Sequence, residues 1–438
     1  MSLLSLKQEA EKILVKNHRN SFTLPSENIY PYQWKWDSGF IALGYAHFNL
    51  KFAISELREI YKGQWKNGFV PHILFHNSKE LKHYFPGPSF YAAELSPYSN
   101  SVMQTTTLTQ PPVSGWVLDR LEYLNPDSED VKLLIKELFP RIMNEHEYLY
   151  QNRDPLNEGL VYIQHNWESG TDNSPVWDEI WNSFNVPDFD FDRKDTAFVP
   201  YDQRPHKSEY NYYLYLIELF KSLKYDDSEI AKKSPFLVQD PLFNTMLIAS
   251  NDGLMRLAMK YGFEKECEKL QSWNLKSKAS MNSKLFDKNN SVYRHFDLRN
   301  NKWLEGITSS SLVPLFAGVP DKRKANEMAN IIESFSLKGK YYLCPSFDPN
   351  NVKFEHKRYW RGPVWVNMNW MISEGLKKYK KYMLSERIRK ETINMVMEQG
   401  FYEYFEPDKK LSMTQKHGYG GENFSWTAAL MIDYLMKK

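Results

Sequence analysis

Cysteine is nearly absent from this chain: Cys267 and Cys344 are the only two among 438 residues. They supply neither a metal-ligand spacing nor a disulfide framework, so a reducing cytosol is the expected compartment and neither thiol is expected to be functional. An excess of one charge is lacking too. Lys and Arg total 56 against 54 Asp and Glu, a net +2. No basic run exceeds short mixed pieces such as Lys377 to Lys381, which argues against nucleic acid or an anionic membrane as main partner. No apolar stretch approaches the roughly 20 residues that span a bilayer. In residues 1–16, Leu3, Leu4, Leu6, Ala10, Ile13 and Leu14 lie among Lys and Glu, the pattern of an amphipathic helix rather than a secretory leader. Gly/Ser linkers, low-complexity tracts, charge blocks and fixed-period repeats are all missing. One domain over residues 1–438 is therefore expected, and an open solenoid is disfavoured.

What is present is helical periodicity. It predicts helices over 1–16, 40–50, 51–61, 115–124, 130–150, 208–223, 241–261, 264–286, 320–334, 364–379, 385–399 and 424–436, separated by uneven loops with Gly or Pro breakers. Strand signals are few, at 291–298 and 341–343. An all-α fold follows, closing as a bundle or as a toroid of helical hairpins.

Aromatic residues are abundant, at 15% of the chain with 13 Trp, 28 Tyr and 26 Phe. Nine of the Trp fall in four places: 34 and 36; 167, 177 and 181; 360, 365 and 370; and 426. A core would spread them over the helices, so the clustering predicts one pocket assembled from distant loops. At its centre stands His165-Asn166-Trp167-Glu168-Ser169-Gly170-Thr171-Asp172-Asn173-Ser174-Pro175, followed by Trp177 and Trp181. Acids wedged among tryptophans, with Gly170 permitting a tight backbone, suit a carboxyl held partly dry for proton chemistry. Asp172, Asn173 or Ser174 can equally cap a helix whose first position is Pro175.

Other stretches add polar groups. Asp37, between Trp34 and Trp36, is either a helix cap or an acceptor for vicinal hydroxyls above stacking rings. Gln110 offers a donor and an acceptor before Pro111-Pro112. Arg204 and His206 precede the Tyr-rich helix start at Tyr210, where an anion-binding role and a plain surface role are both open. His72 reads as a structural histidine. Arg358-Tyr359-Trp360-Arg361 forms a dense corner at a Gly-Pro turn. Near the end, Glu403 sits among aromatics, whereas Glu406 and Glu422 read as more exposed. Two carboxyls from distant loops amid stacking rings are what glycosidic cleavage requires, one to protonate the leaving oxygen and one to act as base or nucleophile on the opposite face.

Taken together, Tyr30-Pro31-x-x-Trp34-x-Trp36-Asp37-Ser38-Gly39, Tyr84-Phe85-Pro86-Gly87-Pro88, Thr109-Gln110-Pro111-Pro112, Glu168-Ser169-Gly170-x-Asp172-Asn173-Ser174-Pro175, Tyr359-Trp360-Arg361-Gly362-Pro363, Phe401-x-Glu403-x-Phe405-x-Pro407 and Asn423-Phe424-Ser425-Trp426 resemble glycoside hydrolase family 63. Within it they are most similar to the small mannosylglycerate and glucosylglycerate hydrolases. The motifs occur in the family's order and span almost the whole chain. Departures are Thr171 where Met is frequent, Tyr91 where Trp is common, and the local variant Gly420-Gly421-Glu422.

The resemblance implies an (α/α)6 toroid with its site in loops at one end, inverting hydrolysis, and no metal or organic cofactor in the chemistry. It makes Asp172 the general acid and Glu403 the general base, with Glu168 in a supporting place. It puts Tyr30, Trp34, Asp37 and Gln110 at the sugar subsite, with Trp36, Trp167, Gly170 and Trp177 grouped beside them. Tyr84, Arg204, Tyr210, Tyr359 and Trp360 fall where a glycerate carboxylate is held. The expected partner is a small sugar substrate, most simply α-glucosyl- or α-mannosylglycerate, and a homo-oligomer is compatible with the sequence. An α-glucosidase or trehalase-like enzyme acting on a neutral disaccharide is the nearest alternative, and a non-catalytic sugar-binding toroid the next.

Overall fold

The computed structural model describes residues 2–76 and 84–437 and is mostly helical. In chain order the helices are α1 (Leu3–Asn17), α2 (Lys35–Tyr45), α3 (Leu50–Lys62), α4 (Pro88–Tyr91), α5 (Ser114–Leu124), α6 (Glu129–Asn152), α7 (Asp178–Trp181) and α8 (Lys207–Ser222). They continue with α9 (Asp227–Lys233), α10 (Pro241–Tyr261), α11 (Glu264–Ser280), α12 (Lys322–Ser334), α13 (Val366–Lys378), α14 (Tyr382–Gln399), α15 (Lys409–Gln415) and α16 (Ser425–Met436).

Local chemistry sets several of the helix starts. Ser128 caps α6 by accepting from Val131 N, and Asp240 caps α10 by accepting from Phe243 N with Pro241 in the first turn. Asp226 and Asp408 start the short helices α9 and α15 the same way, which the periodicity missed because seven residues carry too little pattern. The helix expected over 40–50 begins instead at Lys35 and stops at Tyr45, since Asn49 caps a separate α3 by accepting from Phe52 N. Helix 264–286 ends at Ser280, passes through a wider turn at Met281–Leu285, and gives way to strand Phe286–Asp287.

The helices pack in sequence. α2 lies on α5, α5 on α10, and α10 on the 3-10 segment Val313–Leu315; that segment packs on α13, α13 on α16, and α16 returns to α2. Against this series lie α3 on α2, α6 on α5, α11 on α10, α14 on α13 and α1 on α16. The helix-to-helix core takes in Phe40, Leu118, Leu254, Trp370 and Ala429, while a second apolar cluster gathers loop aromatics including Tyr32, Trp34, Phe75, Trp177, Trp181 and Tyr213.

Strands are short. Gln33–Trp34, Ile73–Phe75 and Gln104–Thr105 form one antiparallel group, with Trp34 opposite Ile73 and Leu74 opposite Thr105. The segment 291–298 divides into Val292–Tyr293, paired with Phe286–Asp287, and Phe296–Asp297, lying between Lys302–Trp303 and Val238–Gln239. Of 341–343, only Tyr341 makes a bridge, to Asp408. The hairpin of Tyr402–Tyr404 with Tyr419–Glu422 was not foreseen, because α15 separates its strands and its register shifts between Tyr402 and Tyr404.

Candidate active site

A cavity of about 880 Å³, counting its mouth, opens where these loops meet. Its wall includes Asp37, Gln110, Asp172, Arg204, Tyr359 and Glu403, brought from six separate stretches of the chain.

Asp172 reaches it through a loop whose backbone is clamped on all sides. His165 accepts from Trp167 N at 3.0 Å through Nδ1 and donates from Nε2 to Tyr213 O at 3.0 Å; burial drops its pKa to about 3, so it stays neutral in that tautomer. Ser169 Oγ donates to Asn166 O at 2.6 Å and accepts from Thr171 N at 2.9 Å. Gly170 follows at φ 73°, and a Cβ there would fall 2.7 Å from the Trp36 ring, so both backbone shape and space demand glycine. Asn166 Nδ2 holds Asp172 O at 2.7 Å, and Asn173 Oδ1 accepts from Trp360 N at 2.9 Å. Glu168, fully buried, takes Arg153 Nη1 at 3.1 Å, Gln164 N at 2.8 Å and Thr109 N at 3.3 Å. It thereby ties the acid loop to the loop of Gln110.

Two capping expectations change. Pro175 does open a 3-10 turn, yet neither Asp172, Asn173 nor Ser174 makes a side-chain cap, which leaves the Asp172 carboxyl to the cavity. Asp37 is not a cap either. Trp34 holds that position, and Asp37 lies in the first turn of α2 with its carboxyl at the cavity wall.

Glu403 stands on the strand Tyr402–Tyr404, 1% exposed. Its Oε1 accepts from Tyr30 Oη at 2.7 Å and its Oε2 from Gly421 N at 3.0 Å, while Arg204 Nη1 lies 3.5 Å from Oε2. Gly420, at φ 70°, packs so closely on this carboxyl that a Cβ would collide with Oε2. Tyr359 closes the gap between the acids, 3.5 Å from Asp172 Oδ2 and 3.2 Å from Tyr30 Oη.

The two environments differ in the way acid–base work requires. Burial pushes Asp172 up to about 7; Arg204 pulls against this and the charge of Glu403 adds to it. Burial raises Glu403 as well, but Arg204, the Tyr30 hydroxyl and the Gly421 N–H all favour its charged form. Both carboxyls are thus raised by burial, and Glu403 receives more hydrogen bonds that favour its charged form than Asp172 does. Asp37 is raised well above the usual carboxylate range, first by burial and then by Glu403.

Trp34, Trp36, Trp167, Trp360 and Trp426 line the cavity; Trp36 meets Trp426 edge-on at 5.4 Å, and Trp360 is stacked 3.7 Å from buried Trp365. Gln110 Oε1 accepts from Trp36 N at 3.3 Å, which leaves its amide N–H groups for a ligand. Lys35 Nζ holds Gln110 O and Thr109 Oγ1 at 3.0 Å each and pairs with Glu145, all buried. Tyr84 and Tyr210 also line the cavity, Tyr84 edge-on to Trp34 at 5.5 Å.

Of the residues expected at the site, the structure brings all but one to the cavity. Trp177 is the exception. It is fully buried in the second apolar cluster, and its Nε1 donates to Thr171 O at 3.0 Å, so it braces the acid loop instead of touching a ligand. Glu406, expected to be exposed, is fully buried; it accepts from Tyr419 Oη at 2.5 Å and Asp408 N at 2.9 Å and lies 2.9 Å from His356 Nδ1. His72 is held between Thr106 Oγ1 at 2.7 Å and Leu108 O at 3.1 Å, with burial lowering it to about 3, and it too reaches the wall. Lys194 and Asp195 line the cavity without having been singled out; the clue in the sequence was the charged group Arg193-Lys194-Asp195 within an aromatic loop. Among the described residues no helix is long and apolar enough to cross a membrane, and no group of three or more His, Cys, Asp or Glu could hold a metal ion.

Paired buried carboxyls in an aromatic cleft at the loops of a helical scaffold are the equipment of a glycoside hydrolase. The comparisons agree. The family model for the mannosylglycerate hydrolase MGH1-like glycoside hydrolase domain matches residues 30–427. The chain is 37% identical over 435 residues to a mannosylglycerate hydrolase of Rubrobacter radiotolerans, covering 98% of this chain and 96% of that one. It is 30% identical to a glucosylglycerate hydrolase of Mycolicibacterium hassiacum, covering 98% and 97%. The crystal structure of a glycoside hydrolase family 63 mannosylglycerate hydrolase from Thermus thermophilus, in complex with Tris and D-glycerate, superposes with a TM-score of 0.89 at 37% identity, over 98% of this chain and 99% of that one. The chain belongs to the mannosylglycerate hydrolase MGH1-like family of glycoside hydrolases.

Proposed function

We propose that the protein hydrolyses 2-O-(α-D-mannosyl)-D-glycerate or 2-O-(α-D-glucosyl)-D-glycerate to the free sugar and D-glycerate, with inversion at the anomeric carbon. The observation that carries this reading is the pairing of Asp172, raised to about 7, with a hydrogen-bonded Glu403 across one cavity. Asp172 donates its proton to the glycosidic oxygen as the bond to the anomeric carbon breaks. Glu403 takes a proton from the water that attacks the opposite face of the sugar. The contacts Asp172 to Tyr359, Tyr359 to Tyr30 and Tyr30 to Glu403 run in series at 3.5, 3.2 and 2.7 Å. The carboxyl oxygens so linked can be no further apart than those steps combined, which stays within the upper bound of the ~6.5–9.5 Å that leaves room for a water.

In this reading Asp37 and the Gln110 amide bind sugar hydroxyls while Trp34 and Trp36 offer ring faces. Arg204, with the hydroxyls of Tyr84, Tyr210 and Tyr359, receives the aglycone carboxylate. Support for an acidic aglycone comes from the named substrates of the relatives and from the glycerate in the Thermus thermophilus complex. The series of packed helices that closes on α2, with a second helix against most members, supports six hairpins in an (α/α)6 toroid forming one catalytic domain. A proton NMR time course with mannosylglycerate, glucosylglycerate, trehalose and neutral α-glycosides tests substrate and stereochemistry together. The β-anomer is expected first, from a glycerate-bearing substrate. Initial release of the α-anomer, or faster turnover of trehalose, would overturn the assignment.

A further inference from the structure

From Arg193 through Asp195 to Arg204 runs a chain of alternating charges, the last two at the cavity wall, that the acid–base pair does not itself explain. Arg193 forks onto Asp195, Nε to Oδ1 at 3.0 Å and Nη2 to Oδ2 at 2.5 Å. The same Oδ2 accepts from Arg204 Nε at 3.0 Å. Arg204 then turns its Nη1 edge to Tyr30 Oη at 3.1 Å and to Glu403 Oε2 at 3.5 Å. The side chains of Arg193, Asp195 and Arg204 are 7%, 16% and 5% exposed, so salt and water screen these attractions weakly.

Both arginines are fixed from outside the chain of charges. Arg193 lies over the Tyr210 ring at 4.3 Å and donates to Pro205 O; Arg204 lies over the Tyr359 ring at 4.3 Å. Next to Arg204, Gln203 is tied to the hairpin that bears Glu403. Its carbonyl accepts from Tyr404 Oη at 2.5 Å and its Oε1 from Gly420 N at 3.1 Å. Arg204 therefore cannot retreat from Glu403 without breaking that seam.

A guanidinium held beside a general base is a liability, because its full charge would keep the carboxylate ionised and make it a poor proton acceptor. Asp195 occupies the Nε edge and leaves one edge for Tyr30 and Glu403. We propose that Asp195 is a positioning residue that sets the basicity of Glu403 by sharing Arg204 with it. The inference rests on Glu403 being the base. The groups facing Glu403 are Arg204, the hydroxyls of Tyr30 and Tyr359, and the Gly421 N–H, with Asp37 and Asp172 across the cavity. Those facing Asp195 are Arg193, Arg204, Tyr210 and Tyr404, while Lys194 pairs with Asp192. Arg204 is the cation common to both.

The test is the pH profile of kcat/KM on the preferred glycosylglycerate for wild type, Asp195→Asn, Asp195→Glu and Arg193→Gln. Asp195→Asn removes the charge that offsets Arg204 beside Glu403 in the free enzyme, which kcat/KM reports, so the acid limb moves down by about one unit and the plateau rate falls about tenfold. Asp195→Glu restores the charge and brings the limb back. Arg193→Gln has the opposite sign: Asp195, released from its second cation, draws more on Arg204, and the limb moves up. Loss of rate at every pH with unmoved limbs would mean that Asp195 only braces the loop, and would overturn the proposal. Should Asp195→Asn fail to fold, by circular dichroism, an Arg193→Gln limb that stays put or moves down overturns it equally. Undiminished turnover in Glu403→Gln is a separate outcome, which sinks the base assignment itself.

Discussion

Replacing Asp172 by Asn removes a carboxyl that the fold holds at a disadvantage, and the structure gives the size of the effect. Burial raises this group from 3.8 to about 7, so the folded protein binds its proton more tightly than the unfolded chain does. Stability is greatest below the unfolded value and is lost as pH climbs through the folded one. At 1.36 kcal/mol per unit that gap is worth about 4 kcal/mol. The carboxyl is only half-buried at the cavity wall, and water there screens part of the cost. Asn cannot ionise. The stability of Asp172→Asn relative to wild type should therefore improve by about 1–3 kcal/mol between about pH 5 and about pH 8.5, read from urea unfolding midpoints at the two pH values. The same variant should lose about 10²–10⁴ in kcat on a glycosylglycerate, and lose far less on a glycosyl fluoride, whose leaving group needs no proton. A stability difference that is flat in pH would refute the desolvated carboxyl; undiminished turnover would refute the acid.

Three further substitutions probe the supports. Glu168→Gln leaves buried Arg153 with Asp227, at 3.0 Å, as its one remaining anion among the described residues, and should cost about 3 kcal/mol, the lower end for a broken buried pair; a loss below about 1 kcal/mol in denaturant unfolding would contradict this. Trp177→Phe keeps a ring but strips the donor from Thr171 O, costing about 1–2 kcal/mol. Its kcat should fall at nearly constant KM, and a matching rise in KM would return Trp177 to the substrate. Glu406→Gln disturbs the contacts with Tyr419 and His356 and should destabilise by about 2 kcal/mol, visible as a lowered melting temperature; an unchanged melting temperature would mean that the buried charge contributes nothing.

Sequence reading reached different depths in different elements. Helices such as Pro241–Tyr261 were legible to the residue, because a long apolar stripe, an Asp cap and a first-turn Pro all agree. Residue chemistry and motif order marked Asp172 and Glu403 as candidate acids, and the fold brings both to one cavity. The hairpin carrying Glu403 was not legible, since its partner strand lies beyond α15 and pairing across such a gap leaves no local periodicity. Burial misled at two places: Trp177 has the composition of a stacking platform but the position of a brace, and Glu406, before a Pro, resembles a surface residue yet is satisfied by partners from two other segments.

The sequence alone therefore carried the helical class, the choice of Asp172 and Glu403 as candidate acids and the family resemblance, because these rest on short-range pattern and residue type. How tightly each carboxyl holds a proton was decided only by tertiary structure. That depends on the guanidinium, the tyrosine hydroxyls and the backbone N–H that reach each acid from elsewhere in the chain, and on how much water the surrounding rings exclude. Arg204 illustrates the difference: by sequence it is a cation near a Tyr-rich helix, and only folding places Asp195 at one edge of it and Glu403 at the other.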